Sequence, residues 1–125
     1  EELAKSRQLD FVQLNYSLAE REAEERILDV LADRGVAVIV NRPFAGGQLF
    51  RQVRGHELPD WASEIGCATW GQFFLKYILG HPAVTCVIPG TSKPHHMLDN
   101  VGAGFGALPD ADTRKRMRTF VLGVD

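Results

Sequence analysis

Apolar residues along this chain fall into short continuous runs separated by stretches in which they recur at helical spacing. Residues 9–16 read as a strand. Ser17-Leu18-Ala19-Glu20 has the form of a capping box, in which serine and glutamate each serve a backbone amide of the other, so Ser17 is predicted to open a helix. Ile27, Leu28, Val30 and Leu31 supply that helix with an apolar stripe, and Gly35 behind Arg34 marks its stop. Residues 36–41 read as a second strand. Its run Val36-Ala37-Val38-Ile39-Val40 has no alternation, which predicts burial on both faces, as for a parallel strand under helices.

A loop with Gly46, Gly47 and Gly55 follows. Leu58-Pro59-Asp60 is predicted to begin a short helix containing Trp61 and Ile65. Residues 69–79 place Trp70, Phe73, Phe74, Tyr77 and Ile78 at helical spacing, a pattern read as core rather than as a ligand box. His81-Pro82 ends that helix, because proline cannot continue it and restricts the residue before it. Residues 84–88 read as a third strand, and residues 93–101 as a helix opened by Pro94. After a connector with Gly102, Gly104 and Gly106, Pro109 and Asp110 start a terminal helix packed through Met117, Phe120 and Val121. There is no internal repeat and no low-complexity segment. The alternating order predicts an α/β fold of parallel βα units, either a doubly wound sheet or part of a barrel.

Composition narrows the function classes. At 125 residues, 45% apolar and 24% charged, the chain reads as one globular domain spanning 1–125. A formal charge of -2 argues against a nucleic-acid binder, which usually carries a basic excess. No apolar run approaches the roughly 20 residues of a membrane span, so no membrane partner is expected. The opening Glu1-Glu2-Leu3-Ala4-Lys5 does not read as a signal peptide. Cys67 and Cys86 fit no zinc or CxxC spacing and read as small buried hydrophobes, so a cytoplasmic location is the expectation.

In either α/β architecture ligands gather at the C-terminal ends of the strands. Those ends carry Gln13, Asn15, Tyr16 and Ser17, then Asn41, Arg42 and Pro43, then Pro89, Gly90, Thr91 and Ser92. Period-two alternation puts Gln13 and Asn15 on one face, and Asn41 on a face with Ile39 and Ala37. Strands also end in polar residues simply because solvent begins there, so the pattern alone leaves both readings open. Gly90-Thr91-Ser92-Lys93-Pro94 joins a strand end to a helix start, where free backbone amides, two hydroxyls and a lysine suit a phosphate; a plain capped helix start is the alternative. His95 and His96 point to different sides of a helix and do not read as a metal site.

Taken together, these segments resemble the aldo-keto reductase family. Phe11-Val12-Gln13-Leu14-Asn15-Tyr16-Ser17 is similar to that family's sixth strand, and residues 36–44 to its seventh strand and following loop. Residues 84–94, ending in Ile88-Pro89-Gly90-Thr91-Ser92-Lys93-Pro94, with the later Asp99-Asn100, resemble the eighth strand and its helix. The resemblance runs over residues 9–122 and implies the last three βα units of an eight-stranded β/α barrel, that is, a partial (half) TIM-type barrel. It implies an oxidoreductase that reduces a carbonyl substrate with NADPH, NADH not being excluded. Gln13 matches the glutamine that hydrogen-bonds the nicotinamide carboxamide. Asn41 falls where many members stack an aromatic ring on the nicotinamide, which asparagine cannot do. Arg42 falls near the pyrophosphate, where an arginine can pair with phosphate. Gly90, Thr91, Ser92 and Lys93 fall by the adenosine 2′-phosphate, His96 where members often have an arginine on that phosphate, and Asn100 at the adenine.

The family's catalytic tyrosine, lysine, aspartate and histidine come from the first half of the barrel, so no catalytic residue is assigned here. Tyr16 and Tyr77 do not match the catalytic tyrosine. A whole barrel takes roughly 250 residues. The chain is therefore expected to be a remnant of a longer protein, one partner of a split barrel, or a half that stands alone; its partners would be the missing barrel half or further copies of itself. A non-catalytic nucleotide-binding or self-associating half-barrel is the alternative to an enzyme. The substrate pocket is out of reach, although residues 46–55 form a loop suited to contribute to one.

Overall fold

The computed structural model describes residues 11–88 and 108–123. Its centre is a three-stranded parallel sheet, ordered β1 (Phe11–Asn15), β2 (Ala37–Asn41) and β3 (Cys86–Ile88). The register sets Gln13 beside Ile39 and Asn15 beside Asn41 on the first pair, and Ile39 beside Cys86 and Asn41 beside Ile88 on the second. The sheet is not closed into a barrel. The helices are α1 (Ile27–Asp33), α2 (Gln48–Gln52), α3 (Trp70–Leu79) and α4 (Ala111–Leu122), with 3-10 turns at Glu22–Glu24, Ala45–Gly47 and Asp60–Ile65.

The two faces of the sheet differ. Val38 and Val40 are fully buried beneath helices, in a core shared with Leu28, Leu31, Phe73 and Phe74. Each such side chain contributes roughly 1.5–3 kcal/mol by leaving water. Ala37, Ile39 and Asn41, on the opposite face of the same strand, are only half-buried, while Phe11, Gln13, Asn15, Cys86 and Ile88 around them are exposed. The expectation of burial on both faces is therefore corrected. The unbroken apolar run of β2 matches a face that is covered only when the sheet curls into a closed barrel. Cys86 is corrected for the same reason, since it lies on this open face, whereas Cys67 is buried as expected.

Most helix boundaries follow local chemistry. Thr69 caps α3, its Oγ1 accepting from Gln72 N at 3.2 Å, and Gln72 Oε1 accepts in return from Ala68 N at 2.8 Å. Asp110 caps α4 through Thr113 N at 2.8 Å. Gly35 ends α1 at φ 69, with Val36 N donating to Leu31 O and Gly35 N to Ala32 O, the paired bonds of a left-handed helix stop.

Ser17 is a correction. Its Oγ accepts from the amides of Ala19 and Glu20 at 3.2 and 2.9 Å, as a cap would, but no helix starts there. The chain instead turns back, Ser17 N donating to Glu20 O, and α1 begins ten residues later at Ile27. Tyr16, Ser17 and Leu18 are all fully buried, and that tertiary anchoring outweighs the local signal. The helix expected over residues 93–101 lies outside the described residues.

Candidate functional site

Strand pairing brings the candidate polar groups together at one end of the open face. Gln13 and Asn41 lie on neighbouring strands, two positions apart in register, close enough for long side chains to meet diagonally. Gln13 Nε2 donates to Asn41 Oδ1 at 2.6 Å. Asn15 stands directly beside Asn41 and is exposed. The pair leaves the carbonyl oxygen of Gln13 and the amide nitrogen of Asn41 for other partners, so the face offers both an acceptor and a donor. That donor set fits a carboxamide, which needs one of each.

Beyond β2 the backbone turns sharply. Arg42 (φ 52) and Ala45 (φ 53) both adopt left-handed conformations, unusual for residues with a Cβ, and Gly46 and Gly47 follow at φ 65 and 90. The turn is tied by Ala45 N donating to Arg42 O and by Gly47 N and Leu49 N donating to Phe44 O. It throws the Arg42 guanidinium across Gly46, where an added Cβ would lie 3.2 Å from Nη2. Arg42 Nε lies 3.6 Å from Glu20 Oε1. The 3-10 turn at Ala45–Gly47 and the short α2 behind it occupy what reads in sequence as plain loop, and Phe44 and Phe50 anchor them against Phe74 at ring distances of 6.4 and 5.5 Å.

The other polar concentration is buried behind the sheet. Glu24 Oε1 accepts from the hydroxyls of Tyr16 and Tyr77, the latter at 2.6 Å, and from Arg114 Nη2 at 2.8 Å. Arg114 Nη2 also donates to the Tyr16 hydroxyl, Arg114 Nε donates to Tyr77 O at 2.8 Å, and Arg118 Nη1 reaches the Tyr77 hydroxyl at 3.2 Å. Burial alone would raise the Glu24 carboxyl, but the two tyrosine hydroxyls and Arg114 outweigh it and hold the group below its ordinary value. Burial, then the bond to Glu24, pushes both tyrosines up. His81 packs edge-on against the Tyr16 ring; burial first and Arg114 second lower its pKa, and its Nδ1 accepts from Ala83 N at 3.1 Å. Tyr16 follows the parity of Val12 and Leu14, on the helix side of β1, so this cluster belongs to the scaffold and does not line the open face.

Of the residues singled out from sequence, Gln13 and Asn41 are brought together on the open face, and Arg42 follows Asn41 in the turn, where its guanidinium meets Glu20 and Gly46. Gly90, Thr91, Ser92, Lys93, His96 and Asn100 lie outside the described residues. Sequence reasoning missed Glu24 and Arg114, and read Glu20 only as the partner of Ser17 in a capping box. Charged residues in an acidic-basic stretch read as a solvated helix face, and nothing local marks the ones that turn inward. Among the described residues, no three histidine, cysteine or acidic side chains come together as a metal site, and no helix is long and apolar enough to cross a membrane.

Comparison with known proteins places this arrangement. The sequence model of the aldo/keto reductase family matches residues 1–117. Pyridoxine 4-dehydrogenase of Escherichia coli (strain K12) is 34% identical over 92 residues, which cover 74% of this chain and 30% of that protein. The aldo-keto reductase AKR11C1 from Bacillus halodurans, in its holo form, superposes with a TM-score of 0.70 at 22% identity, covering 94% of this chain and 44% of its own. A thermostable aldo-keto reductase, Tm1743, solved with the inhibitor epalrestat, gives a TM-score of 0.69 at 20% identity, covering 94% of this chain and 42% of its own. The chain spans less than half the length of each of these relatives, and the two structural likenesses speak to the fold alone. An open parallel sheet backed by helices, in a chain whose residues 1–117 match the family model, leads to one conclusion: the chain belongs to the aldo/keto reductase family, as part of its β/α barrel.

Proposed function

We propose that this chain, folded as a single domain, supplies the cofactor-binding part of an NAD(P)H-dependent reductase that acts on a small carbonyl compound. The observation that carries this reading is the pairing of Gln13 with Asn41 on an open sheet face, at the end where β2 passes into the left-handed turn of Arg42. Gln13 holds the carboxamide of the nicotinamide, and Asn41 orients Gln13 in place of a stacking ring. Arg42 faces the pyrophosphate. Gly90, Thr91, Ser92, Lys93 and His96 serve the adenosine phosphate, with NADPH preferred over NADH, and Asn100 serves the adenine. The bound dinucleotide supplies a hydride; this chain's own groups bind and orient it. The acid that protonates the carbonyl comes from the remainder of the barrel, so the chain alone is inactive.

A second reading is favoured by the exposure of Phe11 (58%) and Ile88 (48%) on the open face. Such a face, on a sheet whose outer strands β1 and β3 have no further partner strand among the described residues, drives association with the rest of a barrel or with further copies. The experiment that separates the readings follows NADPH oxidation by the protein from its complete gene, against a panel of aldehydes and ketones, and the reverse reaction on alcohols including pyridoxine. Turnover supports the reductase. NADPH binding without turnover supports a nucleotide-binding module, and oligomers without binding support association alone.

A further inference from the structure

We infer that Glu20 is an internal counter-ion for Arg42 that lowers the affinity of the site for the cofactor's phosphates, an inference that rests on the placement of Arg42 proposed above. Glu20 is fixed independently of its side chain. Its amide donates to Ser17 Oγ at 2.9 Å and its carbonyl accepts from Ser17 N at 3.0 Å, and Ser17 itself is fully buried. The backbone therefore fixes the point from which the side chain reaches Arg42. Its Oε1 is shielded from solvent and, among the described residues, has no hydrogen-bond partner. What faces it is Arg42 Nε at 3.6 Å, too long for a closed hydrogen bond and short enough for charge pairing.

Arg42 is held from the other side by its own turn. The left-handed backbone at φ 52 and the bare Cα of Gly46 let the guanidinium lie over the loop, at the mouth of the sheet. With Nε facing Glu20, the Nη edge is left to receive an anion. The carboxylate then acts on the arginine: it offsets part of the charge with which Arg42 draws a phosphate. Both side chains are substantially exposed, at 55% and 40%, so solvent screens the pair and its influence is modest rather than absolute. Glu20 is thus an affinity-setting residue that acts through Arg42, without touching the ligand.

The test is a double-substitution cycle on the protein from its complete gene, reading NADPH dissociation constants by nucleotide fluorescence. Glu20→Gln keeps the side-chain shape and leaves the backbone bonds to Ser17 intact, so folding survives it. In the presence of Arg42 it should tighten NADPH roughly two- to fivefold, the range that the strength of an exposed ion pair allows, and should steepen the dependence of affinity on salt. With Arg42→Ala in place, Glu20→Gln should change nothing. Unchanged or weaker binding by Glu20→Gln, while Arg42→Ala weakens it, overturns the counter-ion and leaves the cofactor site standing. An equal effect of Glu20→Gln with and without Arg42 overturns it too. Absence of NADPH binding by the unsubstituted protein removes both the inference and the reading beneath it.

Discussion

The Tyr77 hydroxyl donates to Glu24 Oε1 at 2.6 Å, joining α3 to a turn 53 residues earlier in the chain, and Arg114 from α4 closes on the same oxygen at 2.8 Å. Three segments far apart in sequence therefore meet on one carboxylate. Arg114 is buried and Glu24 partly so, and Arg118 Nη1 lies 3.9 Å from the other carboxylate oxygen, so the acid holds together two arginines of α4.

Replacing Arg114 with Met keeps bulk and removes charge. It leaves Glu24 with only the more distant Arg118 as a cation, and the Tyr77 carbonyl without the Arg114 donor. The expected loss is about 3 kcal/mol, the low end for breaking a buried pair from one side. Glu24→Gln should cost less, since the amide still accepts from the tyrosines. Urea denaturation of both variants checks the order.

The same cluster sets a pH profile. His81 has a lowered pKa in the folded protein, so the folded state takes up fewer protons than the unfolded one as pH drops through the ordinary histidine value of 6.5. Stability from this group is full above that value and declines below it, with a limiting slope of about 1.4 kcal/mol per pH unit. Glu24 also has a lowered pKa, so its contribution is present above the ordinary value of 4.5 and is lost as pH falls through the folded one. Tyr16 and Tyr77 are raised, so their contribution holds below pH 10 and fades above it. Denaturation midpoints should fall in two acid steps. His81→Asn, which keeps an acceptor for Ala83 N, should remove the first and spare the second.

Gly80 sits at the end of α3 with an ordinary backbone, so its lack of a side chain answers to space alone. A Cβ there would lie 2.5 Å from Pro109 O and 2.9 Å from Pro109 Cγ. Gly80→Ala should destabilise by roughly 1–3 kcal/mol through forced displacement of the α4 start. At Gly35 nothing lies within 4 Å, and the strain of a side chain comes from φ 69 instead. Asparagine should therefore be better accepted than alanine at Gly35 and give no such benefit at Gly80. Thermal unfolding of the four variants distinguishes the two causes.

What could be read from sequence was what local chemistry decides. Gly35, Thr69 and Asp110 mark helix ends with bonds made within a few residues, and the aromatic stripe of α3 is buried as its spacing implies, with Phe73, Phe74, Tyr77 and Ile78 inaccessible. The parallel order of strands followed from alternation, and Gln13 and Asn41 from strand parity. What could not be read depends on distant partners. Ser17 makes the bonds of a cap yet starts no helix, because its neighbours are drawn into the core. Glu24 looks like one acid among several in Glu20-Arg21-Glu22-Ala23-Glu24-Glu25, and only Tyr77 and Arg114 make it different. Cys86 has the apolar neighbours of a core residue, and its exposure follows from the sheet being open.

On the proposed reading, the open face at Gln13 and Asn41 holds a nicotinamide. The most direct test of that reading is the dissociation constant for NADPH, measured by nucleotide fluorescence for the protein from its complete gene and for its Gln13→Ala variant. Loss of one hydrogen-bonding amide should weaken binding about tenfold, without a matching loss of thermal stability, because Gln13 is exposed. Equal affinity in the two proteins, or no affinity in either, would contradict the account.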